Sequence, residues 1–264
     1  MSEAHPPDPA AVEQAAILLA SAKSVLFVTG AGLSADSGLP TYRGIGGLYD
    51  AAVTDEGVSI EEALSGDTMR SNPALCWKYI AQIERACRGA RPNRGHEVIA
   101  AIGRQIPRTV VLTQNVDGFH GAAGSADVIE VHGNLHELRC PTCAWTSRVD
   151  DFAGLPIPPP CPKCGAIVRP AVVLFGEMLP VAAVLRLEQE LERGFDLVFS
   201  VGTTSVFPYI AAPVVQARRR GQSSVEINPG ATQVSHLATL RLKSRAAPTL
   251  EAVWTQAAAM WGND

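Results

Sequence analysis

With 264 residues, the chain is long enough for one large domain with an elaboration or for two smaller units. Hydrophobic residues make up 47% of it, which provides for a sizeable core and excludes global disorder. The formal net charge is only −4 and the basic residues are scattered apart from the run 218–220, so we expect no nucleic-acid binding. No stretch of about 18 apolar residues and no charged segment leading into an apolar one is present, which predicts no membrane association and a cytoplasmic location.

The pattern of apolar residues predicts alternating helices and strands. Residues 1–10, with three prolines, predict a flexible tail, and a periodic pattern predicts a helix from about Val12 to Ala22. Further helices are expected at 184–193 and 209–219. Continuous apolar runs predict buried strands at 25–28, 109–112, 127–131, 197–201 and 225–227. This alternation is typical of an α/β fold with a Rossmann-like, doubly wound parallel sheet.

Two regions interrupt the alternation. Residues 44–107 contain loops and helices without a good strand, and residues 138–170 carry two cysteine pairs and a run of three prolines. We interpret both as insertions, a helical module and a cysteine-containing ribbon, that together form a smaller domain. The larger, discontinuous domain then consists of 11–43, 108–137 and 171–264.

The cysteines of the second insertion have the spacing of a metal site. They form two pairs with 17 residues between them, Cys140 with Cys143 and Cys161 with Cys164. Each pair can turn two thiolates toward one ion, and two pairs complete the tetrahedral four-sulfur shell of Zn²⁺. Two disulfides are the alternative, which the intracellular character of the chain disfavours. Because four cysteines leave no position open for water, the predicted zinc is structural, and the isolated Cys76 and Cys87 are predicted to be buried apolar residues.

A glycine-rich turn, 30–32, follows the first predicted strand. Glycine there lets backbone N–H groups approach a pyrophosphate at the start of the next helix. Strand-to-helix turns also need glycine for geometry alone, so the motif by itself leaves both interpretations open. A dehydrogenase fingerprint would add a third glycine, where this chain has Ser34 and Ala35, and no strand precedes Asp50 to supply the usual acid. A nucleotide site is predicted, but not one of the ordinary dehydrogenase kind.

Polar residues follow two other predicted strands. Gln114, Asn115 and Asp117 come directly after the strand that ends at Thr113, and His132 comes directly after the run 127–131. The carboxyl ends of parallel strands form the binding crevice of such sheets, so these side chains are expected at one edge. An imidazole can take a proton from a hydroxyl near neutral pH, but position alone leaves His132 either a structural residue or a base.

The segment 30–44, GAGLSADSGLPTYRG, closely resembles the signature of the sirtuin deacylases. Four further blocks follow in the order of that family: TQNVD at 113–117, VHGN at 131–134, FGE at 175–177 and VGTTS at 201–205. The resemblance extends from about Ser24 to Leu250. It implies an NAD-dependent protein-lysine deacylase, with deacetylation expected first, that binds an acyl-lysine protein or peptide and consumes NAD, beside one structural Zn²⁺ in a zinc ribbon.

The resemblance also implies a mechanism. The acyl oxygen attacks the ribose carbon that bears nicotinamide, and His132 then acts as general base on a ribose hydroxyl that attacks the resulting imidate. Free lysine and acyl-ADP-ribose are the products. Asn115 and Asp117 are expected to line the nicotinamide pocket and, with His132, to be catalytic, while Tyr42 and Arg43 belong to a loop that covers the cofactor.

Further contacts are implied by position in the family motifs. The remaining expected cofactor-binding residues are Gly30, Ala31, Gly32, Ser34, Asp36, Gln114, Val116, Gly202, Thr203, Thr204, Asn228, Pro229, Gly230 and Lys243. The peptide is expected to add as a strand between the two domains, against Val173, Leu174, Phe175, Gly176, Val206 and Phe207. The segment 202–208 is one residue shorter than in many relatives, which leaves the peptide register open. His120 matches a recurring family position and is predicted to be structural.

Two departures from the family pattern bear on the acyl group. Thr41 and Tyr42 stand where the commonest signature has Asp and Phe, and Thr41 is shared with the branch that removes succinyl groups. That branch also holds the acyl carboxylate with a tyrosine and an arginine three residues apart on a helix. An alignment on 72–73 gives Ile80 and Ile83 there, and sliding the frame to start at Tyr79 gives Gln82, which is no better. Without the arginine a buried carboxylate lacks its bidentate partner, so we expect a neutral acyl group, acetyl first.

Three other functions remain open from the sequence. A mono-ADP-ribosyltransferase shares the nicotinamide-releasing half of the chemistry. A non-catalytic NAD- or zinc-binding module would have no need of His132 as a base. A dehydrogenase is disfavoured because the fingerprint is incomplete.

Overall fold

The computed structural model describes residues 6–40 and 54–262. Its helices are α1 Pro9–Ser21, α2 Ala31–Ser34, α3 Ile60–Ala63, α4 Gly66–Ser71, α5 Pro73–Cys87, α6 Arg94–Gln105, α7 Phe119–Ala122, α8 Val181–Arg193, α9 Pro208–Arg219 and α10 Ala246–Trp261. Its strands are β1 Ser24–Thr29, β2 Arg108–Thr113, β3 Val128–Glu130, β4 Gly133–Arg139, β5 Thr146–Arg148, β6 Arg169–Val172, β7 Leu197–Val201, β8 Ser223–Ile227 and β9 Leu240–Leu242.

The larger sheet has six strands in the order β3-β2-β1-β7-β8-β9, and every neighbouring pair is parallel. The chain reverses its direction of travel across the sheet between β1 and β7, which is the arrangement of the Rossmann fold. All residues of β1 are buried, as expected for a strand covered on both faces. The predicted parallel sheet is confirmed, and the added edge strand β9 escapes prediction because it is short and only Leu242 in it is buried.

Helices cover both faces of this sheet. Helices α1, α6 and α10 share a core with one face, where Phe27 of β1 stacks on Phe199 of β7 at 4.9 Å between ring centroids. Helices α8 and α9 pack on the other face. Helix α1 begins at Pro9, so the predicted tail of 1–10 is too long: Asp8 accepts a hydrogen bond from Ala10 N and caps the helix, while Pro9 suits its first turn.

Helix α6 lies on the larger sheet, although the predicted insertion 44–107 includes it. Its apolar residues Val98, Ile99 and Ile102 fall on one face and are buried in the core shared with α1 and α10. Asn93 begins the helix with a capping box. The sequence pattern of α6 predicts its apolar face correctly, but it does not show whether that face packs on the larger sheet or in the smaller domain.

Helices α3, α4 and α5 share a second core with the small antiparallel sheet β5-β4-β6. Trp77 of α5 is fully buried there and donates a hydrogen bond to Val168 O at 2.8 Å. Strand β4 begins at Gly133, upstream of the predicted boundary at 138, so the small sheet starts immediately after His132. No helix in the described ranges is long and apolar enough to cross a membrane.

Two histidines are buried where α6 and α7 meet the larger sheet. His120 has its Nε2 2.9 Å from Thr29 Oγ1, and its ring lies 5.0 Å from the ring of His96, centroid to centroid. Burial lowers the pKa of His120 to about 3 and that of His96 to about 4. Both imidazoles are therefore neutral at neutral pH, and the structural role of His120 stays a prediction.

We predict that this pair makes the fold sensitive to mild acid. In the unfolded chain each histidine takes up a proton near its ordinary pKa of 6.5, whereas in the folded chain the pKa values are about 4 and about 3. The unfolded state binds more protons between these values, so the free energy of unfolding falls as the pH is lowered through this window. Each histidine contributes at most about 1.4 kcal/mol per pH unit.

Urea unfolding at about pH 7.5 and about pH 5 tests this. His120→Phe is expected to lose less stability between the two pH values than the wild type, whatever its stability at the higher pH. Equal losses in the two proteins would contradict the assignment.

Candidate functional site

The turns that follow β1 and β7 are in direct backbone contact. Gly32 N donates to Gly202 O at 2.8 Å, and a Cβ added to Gly32 would lie 2.7 Å from Gly202 Cα. Gly202 has φ +60°, and a Cβ there would lie 2.4 Å from Leu33 N. Gly30 is equally close, since its Cβ would lie 2.8 Å from Gly202 O. The contact between the two turns thus requires these glycines without any ligand, and it brings the carboxyl ends of β1 and β7 together.

A chain of hydrogen bonds joins the first turn to the polar residues after β2. Asn115 Nδ2 donates to Gly30 O and to Ser34 Oγ, both at 3.0 Å. Ser34 Oγ donates in turn to Asp117 Oδ2 at 2.6 Å, and Asp117 Oδ1 accepts from Phe119 N at the start of α7. The side chains of Asn115, Ser34 and Asp117 are therefore held in fixed orientations beside the glycine turn.

A second set of hydrogen bonds joins the ends of β2, β7 and β8. Gln114 Nε2 donates to Thr203 Oγ1 at 2.8 Å, and Asn228 Nδ2 donates to Thr203 O at 3.2 Å. Thr203 is buried, whereas Thr204 beside it is exposed. Residues predicted from four separate segments thus converge at the carboxyl edge of the sheet, at the reversal point where parallel sheets bind ligands.

Some predicted cofactor contacts lie away from this cluster. Asp36 faces the start of α10, where Oδ2 accepts from Ala247 N and Oδ1 accepts from Arg245 Nε, both at 2.7 Å. Its carboxylate is engaged as a helix cap, because the charge favours the helix N-terminus. The backbone carbonyl of Val116 accepts from Leu135 N. The predicted residues that are exposed after β8 and β9 are Pro229, Gly230 and Lys243. Tyr42 and Arg43 lie outside the described residues.

His132 lies between β3 and β4 and is held from both sides of its ring. Nδ1 is 3.0 Å from Gln114 O, and Nε2 is 2.7 Å from the hydroxyl of Tyr209. A carbonyl oxygen can only accept, so Nδ1 carries the proton and Nε2 presents its lone pair. Burial lowers the pKa of His132, against the opposing effect of the bond to Gln114 O, and keeps the ring neutral. Tyr209 is not among the site residues predicted from the sequence. Its place in the first turn of α9, directly after Pro208, is the one sequence feature that points to a position near the site.

The segment 173–177 runs beside the histidine and is tied to it. Val173 N donates to His132 O at 2.9 Å. Glu177 accepts two hydrogen bonds from Arg169, at 2.6 and 2.8 Å, and a third from Leu174 N at 3.0 Å. Burial raises the pKa of Glu177, but these hydrogen bonds outweigh that effect, so its pKa lies below the usual value. The ion pair fixes the turn that presents Phe175.

Large apolar side chains on and near this segment are exposed to solvent, among them Met178, which is 87% exposed. Phe175 is 37% exposed, and Val206 and Phe207 on the loop before α9 are 62% and 46% exposed. Val173 is half-buried and Leu174 is buried, so these two side chains lie beneath the exposed ones. Both segments approach His132, and exposed apolar residues on adjoining segments are typical of a surface that a ligand covers.

The four predicted zinc ligands converge. All four Sγ atoms lie within 4.8 Å of one another, with Cys140 3.5 Å from Cys164 and Cys143 3.7 Å from Cys161. These separations are too long for disulfides and are close to the edge of about 3.8 Å expected for a tetrahedron with Zn–S bonds of about 2.3 Å. The thiolate set fits Zn²⁺, and with four sulfur ligands the ion would be structural. Gly165, at φ +76°, allows the second turn to close after Cys164.

We predict about one zinc ion per chain, measured by plasma mass spectrometry after dialysis. The double variant Cys140→Ala/Cys164→Ala is expected to hold none and to melt at a lower temperature, because the metal contributes directly to folding of the small sheet. Cys87→Ser is the matched control, since Cys87 lies at the end of α5 outside the cluster, and it should retain the metal. A double variant that kept full zinc occupancy would contradict the assignment.

Comparisons with known proteins agree on one family. A model of the Sir2 family matches residues 30–208. The NAD-dependent protein deacylase 2 of Pseudomonas aeruginosa is 50% identical over 231 residues, which are 86% of this chain and 90% of that protein. A Sir2 homologue solved as an NAD complex superposes with a TM-score of 0.84 at 33% identity, covering 94% of each chain. A Sir2 structure with a deacetylated p53 peptide and 3′-O-acetyl ADP ribose superposes with a TM-score of 0.81 at 28% identity, covering 93% of this chain and 98% of that one. The chain therefore belongs to the Sir2 family, the sirtuins that its motifs resemble.

Proposed function

We propose that this chain is an NAD-dependent protein-lysine deacylase that removes neutral acyl groups, acetyl first. The proposal depends most on His132, a neutral imidazole whose Nδ1 is bonded to Gln114 O, in the same segment after β2 that carries Asn115 and Asp117. A pure binding module has no need of such a base. The deacylase names and the peptide complex among its relatives support the same activity.

The polar groups at the sheet edge fit NAD. Amide and hydroxyl side chains of Gln114, Asn115 and Thr203 can hydrogen-bond ribose and carboxamide groups, and the N–H groups of the glycine turn suit phosphate. When bound, NAD supplies the ADP-ribose that accepts the acyl group and releases nicotinamide. A dehydrogenase would place an acid at the end of the second strand, where this chain has Gln114.

His132 acts as the general base in this proposal. Its Nδ1–H stays bonded to Gln114 O while Nε2 accepts the proton of a ribose hydroxyl. The hydrogen bond to this carbonyl oxygen then stabilises the positive charge that forms on the ring. Burial holds the pKa of the ring below its ordinary value, which keeps the base unprotonated near neutral pH.

The negative charge of Asp117 has a separate role. Loss of nicotinamide leaves positive charge on the ribose, and a fixed carboxylate in a crevice stabilises such charge without reorganising. The hydrogen bonds from Ser34 and Phe119 N hold the carboxylate in place before substrate binds. Asn115 donates to Gly30 O and to Ser34 Oγ, and this pair of bonds keeps the Asp117 carboxylate in a fixed position relative to the glycine turn.

The peptide is proposed to lie between the segments 173–176 and 206–207. A peptide added as a strand gains backbone hydrogen bonds, and the exposed Phe175, Val206 and Phe207 would cover the aliphatic stem of the lysine. The bond from Val173 N to His132 O sets the spacing between the peptide edge and the base.

Helix α5 supports a neutral acyl group. Ile80 is 2% exposed and Ile83 packs against the same core, so the positions that hold an acyl carboxylate in the succinyl branch are apolar here. Lys78 on the same helix is paired with Glu56. An ionised acyl chain would be buried without a partner.

A cytoplasmic location is also proposed. Four cysteines gathered as a metal shell rather than joined as disulfides suit a reducing compartment.

The activity is tested by product analysis. Wild-type protein with NAD and an acetyl-lysine peptide is expected to give nicotinamide, free lysine peptide and acetyl-ADP-ribose in equal amounts. His132→Ala should lose acetyl-ADP-ribose formation by a factor of about 100 or more, since general-base catalysis contributes that much. Labelled protein without deacylated lysine would instead establish an ADP-ribosyltransferase.

Acyl preference is tested with acetyl-, butyryl-, decanoyl- and succinyl-lysine forms of one peptide. We expect kcat/KM for succinyl to be at least about tenfold below acetyl, because an unpaired buried carboxylate costs several kcal/mol. Ile83→Arg supplies a cation at one of the α5 positions, and it is expected to reduce the difference in kcat/KM between the acetyl and succinyl peptides. A wild-type preference for succinyl would overturn the neutral pocket.

A further inference from the structure

Tyr209 makes a contact with His132 that the proposed reaction does not use. Its hydroxyl lies 2.7 Å from His132 Nε2, and its ring stacks on Phe207 at 5.5 Å and 12°. Both aromatic rings meet the imidazole edge to face, at 6.0 and 6.1 Å between centroids. The histidine is thus enclosed by an aromatic pair on the peptide side.

The contact occupies the only acceptor position of the base. A neutral imidazole with a proton on Nδ1 has one lone pair in the ring plane, on Nε2. Gln114 O fixes that tautomer, so the Tyr209 hydroxyl is the donor to Nε2. Any substrate hydroxyl that gives its proton directly to His132 must approach along the same direction, and one lone pair cannot hold both donors.

The loop before α9 places the tyrosine there. Gly202 has φ +60° and Ser205 has φ +54°, a conformation that residues other than glycine rarely adopt. Ser205 is buried and its N–H donates to Thr203 Oγ1 at 3.1 Å. The short loop is therefore tightly wound, and it brings the first turn of α9 against His132.

Tyr209 packs at the edge of the core and is less deeply buried than the residues that anchor α9. Tyr209 is half-buried and its stacking partner Phe207 is 46% exposed. Ile210 and Val214, by contrast, are fully buried and anchor α9 to the sheet. Rotation of this one side chain, with the helix in place, would free Nε2.

We propose that Tyr209 holds the acceptor position of His132 in the resting protein and that the ribose hydroxyl of NAD must displace it. The inference rests on the proposed function for the identity of the competing hydroxyl. Tyr209 thus competes with productive binding of the cofactor, while Gln114 O keeps the imidazole in its tautomer.

The hydroxyl is tested by Tyr209→Phe, which retains the ring that stacks on Phe207. Loss of one competing hydrogen bond is expected to lower the KM for NAD by a factor of about 3 to 10, with kcat for acetyl-ADP-ribose formation maintained. Tyr209→Leu, which also removes the ring, should lower this KM to a similar extent if the hydroxyl is the competitor. A structural role would instead raise KM or lower kcat.

A second readout does not depend on activity. In the unliganded protein, nuclear magnetic resonance titration of His132 should show a higher pKa in Tyr209→Phe than in the wild type, because a donor to the neutral ring is removed. This result would support the contact even if no acyl peptide were turned over, so failure of the deacylase proposal can be told apart from failure of this one.

Three outcomes would overturn the inference. Unchanged KM and unchanged His132 titration in Tyr209→Phe would show that the contact has no energetic weight. A fall in acetyl-ADP-ribose formation with normal nicotinamide release would place the hydroxyl in the proton path instead. A lowered KM in Tyr209→Leu alone would assign the effect to the bulk of the ring.

Discussion

The site depends on one steric constraint, the backbone contact between the turns after β1 and β7. Gly32 and Gly202 approach so closely that neither has room for a Cβ, and Gly202 also has a positive φ. This contact fixes the separation of the two strand ends at the reversal point of the sheet. Because the backbone contact holds the two turns in fixed relative positions, Asn115 can donate to Gly30 O and Asn228 can donate to Thr203 O. The polar cluster is therefore built on backbone geometry rather than on flexible side chains.

The junction of the two sheets gives His132 its setting. Strand β3 of the larger sheet ends at Glu130, and strand β4 of the small sheet begins at Gly133, so the histidine sits where the chain passes between them. A Cβ on Gly133 would lie 1.8 Å from Ala171 O, which means that β4 begins its pairing with β6 at a position where only glycine fits. His132 thereby contacts residues that follow strands of both sheets: its Nδ1 lies near Gln114 O after β2, and its backbone carbonyl accepts from Val173 N after β6. A zinc ion held by the four cysteines would keep β4 and β6 in place and would thereby support the position of His132.

The sequence predicts the parts of this architecture that have a local cause. The continuous apolar run of β1 predicts a strand buried on both faces, and the spacing of Cys140, Cys143, Cys161 and Cys164 predicts a shared metal shell; both are borne out. The glycine motif predicts the turn after β1, but it does not show why glycine is needed there. The cause is the contact with Gly202, which lies far away in the chain. Features with a tertiary cause escape prediction. Asp36 lies within the signature, yet its carboxylate caps α10 at Ala247, and no local pattern reveals that partner.

The most direct measurement is a crystal structure of the protein with NAD and an acetyl-lysine peptide, trapped with His132→Ala for the ternary state and compared with the wild type and NAD alone. We expect the pyrophosphate against the turn 30–32, the carboxamide beside Asn115 and Asp117, and a ribose hydroxyl of the wild-type complex within hydrogen-bond distance of His132 Nε2. NAD bound in the reverse orientation, or away from the carboxyl edge of β1 and β7, would contradict this expectation.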